Sequence, residues 1–141
     1  AIPLSEGVMP EAHQLTELQL ALLRVLWDRG EATVVEICDA LRPARTLAAT
    51  TVATLLSRLE RRGIVTHRTA ARQYVYAPAV TEADVRHSML SELTEQLFDG
   101  DVTELVSHLL SASEMSADDL EKVKELIANH EARQEVSDDA R

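Results

Sequence analysis

Thr50, Thr51, Thr54, Ser57, Arg58 and Arg61 follow one another at helical spacing, and Arg45, Arg68 and Arg72 lie on either side of them. Hydroxyls and guanidiniums without a neighbouring general base are poor tools for breaking bonds and good ones for holding oxyanions. Residues 42–72 contain seven arginines (Arg42, Arg45, Arg58, Arg61, Arg62, Arg68, Arg72) and one acid, Glu60. That segment carries +6, residues 1–41 carry −5, residues 73–141 carry −11, and the whole chain carries −10. A basic island in an acidic chain suits a polyanion, because cations that neutralise phosphates release condensed counterions. The plain alternative is a solvated charged surface, and the order of the surrounding elements decides between them.

The chain has 141 residues, 45% of them apolar but only 3% aromatic. This length suits one domain, or one small domain with an appendage, and a core of aliphatic side chains favours helices. The single cysteine, Cys38, cannot form an internal disulfide, which predicts a reducing cytoplasm. No apolar run reaches the length of a membrane span, so no membrane insertion is expected. Residues 1–13 lack the basic and apolar regions of a signal peptide and read as a polar lead-in. His13, His67, His87, His108 and His130 stand at no metal-ligand spacing with one another or with Cys38. No metal or cofactor is expected within one chain; a metal site built across two copies stays open. There is no phosphate-cradling glycine loop, HExxH or nucleophile elbow, so an enzyme is not expected.

The elements that position the basic residues read as follows. Thr16 with Gln19 has capping-box spacing and opens a helix over about 16–29, stopped at Gly30. Thr33 with Glu36 repeats the signature for a helix over about 33–42, with a short strand near Ala32 and a stop before Pro43. A third helix runs from about Leu47 to Arg62. Its Val52, Leu55, Leu56 and Leu59 share one face, and Thr50, Thr54, Ser57 and Arg61 face the other way, with Thr51 and Arg58 on the flanks. Residues 64–69 and 73–77 read as a hairpin, although no Asn-Gly marks its turn. Helix, helix, helix, hairpin is the order of a winged helix-turn-helix, whose second paired helix enters the major groove. The expected fold is mainly α: a winged helix-turn-helix DNA-binding domain with a small β wing over 1–80, and a helical dimerisation domain over 81–141.

The second part reads as three helices, over about 81–98, 101–111 and 117–133, with a frayed tail beyond. Short amphipathic helices enclose little core alone, so Leu90, Leu93, Leu97, Phe98, Leu105, Leu109, Leu120, Val123 and Ile127 are candidates for pairing with a second copy. Folding back onto the first part is the alternative.

The stretch Leu47 to Val65, with Thr50-Thr51-Val52, Thr54-Leu55-Leu56, Arg58-Leu59 and Arg61-Arg62-Gly63, resembles the recognition helix and following strand of the penicillinase-repressor (BlaI/MecI/CopY) family. Leu20–Trp27, Thr33–Ile37, Tyr74–Pro78 and Leu97–Gly100 resemble its other elements in order, so the similarity covers about 15–128. The resemblance implies a homodimeric repressor of a palindromic operator in double-stranded DNA, set before β-lactam-resistance genes or broader envelope and stress genes. It implies relief by proteolysis in the dimerisation domain, triggered by a membrane-bound sensor metalloprotease. The family's cleaved Asn-Phe bond corresponds here to His108-Leu109, a different pair. The copper-responsive branch's C-terminal cysteine motifs are absent, since Cys38 is alone. Two other readings remain: a winged helix that binds protein, and a ligand-responsive repressor of another winged-helix family.

Overall fold

In the computed structural model, residues 15–112 and 114–139 are described. The lead-in at residues 1–13, and the reading of it as no signal peptide, lie outside them. The chain divides into two compact units, one ending at Leu97 and one beginning at Phe98.

The first unit opens with α1 (Glu17–Arg29) and its complete capping box. Gln19 N donates to Thr16 Oγ1 at 3.1 Å, and Thr16 N donates to Gln19 Oε1 at 3.0 Å. Gly30, at φ +86°, ends the helix and donates its N–H to Leu26 O at 2.7 Å. The chain then makes a two-residue strand, β1 (Ala32–Thr33), and Thr33 caps α2 (Val34–Leu41) with Glu36 as its reciprocal partner. Helix α3 covers Ala49–Arg61. It starts two residues later than its sequence pattern suggests, because Ala48 adopts an extended conformation and offers no side-chain cap. Strands β2 (Val65–Ala70) and β3 (Gln73–Pro78) form the hairpin, and β1 pairs with the outer side of β3 in an antiparallel sheet of order β1-β3-β2.

Leu22, Leu23, Leu26, Ile37, Val52, Leu56 and Leu59 are fully enclosed where the three helices meet, and Val65 and Tyr76 close the core from the sheet, with Ile64 just ahead of β2. Cys38 is a buried core residue. Helix α4 (Glu82–Phe98) adds Val85 and Met89 to this core, and Trp27 Nε1 donates to Val80 O at 3.0 Å just ahead of it. This packing is why most of α4 belongs to the first unit, where the sequence pattern had suggested a division near residue 80. The architecture is mainly α with a small three-stranded sheet, a winged helix followed by further helices.

The second unit contains α5 (Val102–Ala112) and α6 (Ala117–Asp139). Helix α6 continues six residues past Arg133, so no fraying begins there. Within this unit the Phe98 and His108 rings lie 6.0 Å apart. Of the proposed pairing residues, Leu90, Leu93 and Leu97 are exposed along α4, as are Leu109 on α5 and Leu120 and Ile127 on α6. Phe98 and Val123 are half-buried. Leu105 is already buried in the single chain, at 8% exposure, and offers little surface to a second copy. His108 and Leu109 lie inside α5, not in an extended loop. No described helix is long and apolar enough to cross a membrane.

Candidate nucleic-acid interface

Helix α3 buries Val52, Leu56 and Leu59 and turns its other side outward. Thr50, Thr51, Thr54, Ser57, Arg58 and Arg61 are all exposed. The first turn carries no acid and no side-chain cap, whereas the last turn carries Arg58 and Arg61. The dipole therefore presents its positive end without an acidic side chain in its own first turn to offset it. Thr54 Oγ1 donates to Thr50 O at 2.9 Å. Its hydroxyl proton is committed to the helix, which leaves the methyl group and the oxygen lone pairs to meet a partner.

The hairpin turn is tight. Ala70 pairs with Gln73, so Ala71 and Arg72 alone make the connection, at φ +50° and +67°. Positive φ at both central residues is the conformation whose twist matches paired strands. It sets Arg72 at the outermost point of the wing.

The arginines separate into two groups. Arg42 Nη1 lies 2.8 Å from Asp39 Oδ1. Arg45 Nη2 donates to Glu17 Oε1 at 2.9 Å. Arg68 grips Glu31 with two hydrogen bonds, Nε to Oε2 at 3.2 Å and Nη2 to Oε1 at 2.7 Å. These bonds from Arg68 hold the Glu31 carboxyl below its usual range, and Glu31 in turn raises the guanidinium. Among the described residues, no carboxylate lies within ion-pairing distance of Arg58, Arg61 or Arg72. Three unneutralised guanidiniums thus stand on the outer helix and the wing tip, while Arg45 and Arg68 reach solvent already bound to acids.

Glu60 does not pair with Arg58 or Arg61. His67 Nδ1 lies 2.8 and 2.7 Å from its two carboxylate oxygens and donates to them, tying the end of α3 to β2. The His67 ring stacks on Tyr74 at 4.1 Å, and Tyr76 lies 5.6 Å away. Burial, then the Glu60 carboxylate, then Tyr74 push the Tyr76 phenol above its ordinary value. This cluster braces the wing against the helix. Sequence reasoning assigned no role to Glu17, Glu31, His67 or Tyr74 as partners. The alternating register of two β-prone runs places His67, Tyr74 and Tyr76 on one face once the hairpin is known. Among the described residues, no cluster of His, Cys, Asp or Glu is arranged to hold a metal.

The profile of the penicillinase repressor family matches residues 15–129. The penicillinase repressor of Bacillus licheniformis is 22% identical over 125 residues, covering 89% of this chain and 98% of that protein. The methicillin resistance regulatory protein MecI of Mammaliicoccus sciuri is 17% identical over 117 residues, covering 83% and 95%. A solution structure of the DNA-binding domain of the repressor BlaI is 27% identical, covers 52% of this chain and 89% of that one, and superposes with a TM-score of 0.47. A helical scaffold that aims hydroxyls and unpaired arginines outward from one helix and one wing, matched along most of its length, belongs to the penicillinase repressor family of winged-helix repressors.

Proposed function

We propose that this chain is a homodimeric repressor that seats α3 in the major groove of a palindromic operator and blocks a promoter by occupying it. The carrying observation is that Arg58, Arg61 and Arg72 stand without carboxylate partners among the described residues, in an acidic protein that neutralises its neighbouring arginines. Thr50, Thr51, Thr54 and Ser57 surround the helix arginines and suit base edges and phosphates. Arg72 suits a phosphate beside the groove.

The dimer rests on the apolar side chains left open on α4, α5 and α6, of which Leu97, at 66% exposed, is the most open on α4. A two-fold pairing sets two copies of α3 about 34 Å apart, one duplex turn, or a multiple of it. Membership of the family, with relatives named for penicillinase and methicillin resistance, supports control of β-lactam-resistance or envelope genes. Relief by a membrane-bound sensor metalloprotease belongs to the same reading. Proteases take extended chain, so cutting between His108 and Leu109 requires α5 to open first.

Selection of bound duplexes from a random pool tests the reading. An inverted repeat with half-sites one or two turns apart is expected. Recovery of no duplex, with the protein instead retaining only polypeptides, rejects it in favour of a protein-binding winged helix.

A further inference from the structure

Glu31 lies in the loop between α1 and β1, and its two oxygens take the Nε and Nη2 hydrogens of Arg68 at 3.2 and 2.7 Å. This is the same two-pronged arrangement with which a guanidinium grips a phosphate. Glu17, in the first turn of α1, holds Arg45 in a single-pronged version at 2.9 Å. Both arginines lie in the basic segment, one beside α3 and one on the wing, and both acids come from outside that segment.

We propose that Glu31, with Glu17 in a lesser role, is an internal stand-in for the DNA phosphate and sets how strongly the protein holds unmatched duplex. This rests on the DNA-binding reading above. The Arg68–Glu31 pair is solvent-exposed, so it exchanges readily and contributes little to stability. Arg68 therefore has two possible anions, a carboxylate attached to the same chain and a phosphate that arrives from solution. The tethered carboxylate wins unless the duplex is held in place. On a matched operator the α3 contacts hold the phosphates still and Arg68 transfers to one of them. On unmatched DNA the encounter is short and Arg68 stays with Glu31. The acid thus lowers non-specific affinity more than operator affinity and raises the ratio between them.

An alternative role for the same pair is a strut that fixes the wing against the α1–β1 loop. A third is a negative charge that repels DNA at a distance, whatever Arg68 does. Three variants separate these: Glu31→Gln, Arg68→Gln and the double variant. Each is titrated, as full-length chain, with a random-sequence duplex and with a duplex that the wild type selects from a random pool, over a series of salt concentrations. Glu31→Gln is expected to bind the random duplex about three- to tenfold more tightly and to steepen its salt slope by about one unit for each copy that touches the duplex, about two for a dimer, the signature of one added phosphate contact per copy. The selected duplex gains less. In the Arg68→Gln background the Glu31→Gln gain disappears.

Weaker or unchanged binding by Glu31→Gln overturns the proposal and leaves the strut. An equal gain with and without Arg68 also overturns it and leaves the distant charge. If the wild type itself holds no duplex, it is the DNA-binding reading that fails. Circular dichroism of each variant confirms that the fold is intact before any affinity is compared.

Discussion

Ala71 carries a side chain in a conformation that L-residues avoid. At φ +50° its Cβ crowds the following carbonyl, and the adjacent Arg72 at +67° repeats the arrangement. A left-handed residue with a Cβ costs about 1–2 kcal/mol. Asparagine, whose short amide hydrogen-bonds locally, tolerates this region far better, so Ala71→Asn should recover about 1 kcal/mol. In a domain of 60–100 residues that amounts to a melting temperature higher by about 4–8 °C. Glycine removes the crowding but loses about 0.5–1 kcal/mol through its freer unfolded chain, so Ala71→Gly should melt close to the parent. Valine adds a branched Cβ and should melt below it. Differential scanning calorimetry at fixed protein concentration reads all three, with Arg72 unchanged in each. If Ala71→Asn melts no higher than the parent, or Ala71→Val melts with it, the turn does not store strain as argued.

Thr54→Val keeps the Cγ2 methyl and replaces with a second methyl the hydroxyl already spent on Thr50 O, so operator affinity in a filter-binding titration should change little, whereas Thr54→Ala should weaken operator binding more than non-specific binding; equal losses for the two variants would count against methyl recognition. Leu97→Asp should leave the winged helix folded yet shift sedimentation to the single-chain value and weaken operator binding; a variant that still self-associates moves the interface elsewhere. The raised phenol of Tyr76 is neutral in the folded chain, so its contribution to stability is complete below about pH 10, the ordinary tyrosine value, and declines as pH rises through the higher folded value. Melting temperature should therefore drop more steeply above pH 10 in the wild type than in Tyr76→Phe, and parallel curves would contradict the assigned burial.

The scaffold was legible because its signals are local. Two threonine capping boxes and Gly30 set the limits of α1 and the start of α2, and the Val52-Leu56-Leu59 spacing orients α3. The start of α3 was less visible, since nothing local tells that Ala48 stays extended. The extent of α6 was hidden for the converse reason: its last turns bury no apolar face and leave little periodicity to read. At the interface, the outward hydroxyls and arginines of α3 follow from its buried face by geometry alone. Which arginines are already neutralised does not. Arg45 meets Glu17 and Arg68 meets Glu31 across 28 and 37 residues, and only the folded chain brings them together. Glu60, the one acid of the basic segment, meets His67 rather than Arg58 or Arg61, because the hairpin register delivers that ring to it.

The salt dependence of duplex binding addresses the central claim. Arg58, Arg61 and Arg72 from each of two copies place six guanidiniums on phosphates, and Arg68 of each copy adds two more on the matched site, which predicts a logarithmic slope of about −5 on unmatched duplex and about −7 on the selected site, together with one dimer bound per selected site. Binding that is absent at low salt, or that persists with a slope near zero, would contradict the account, because the unpaired arginines would then face something other than a nucleic-acid backbone.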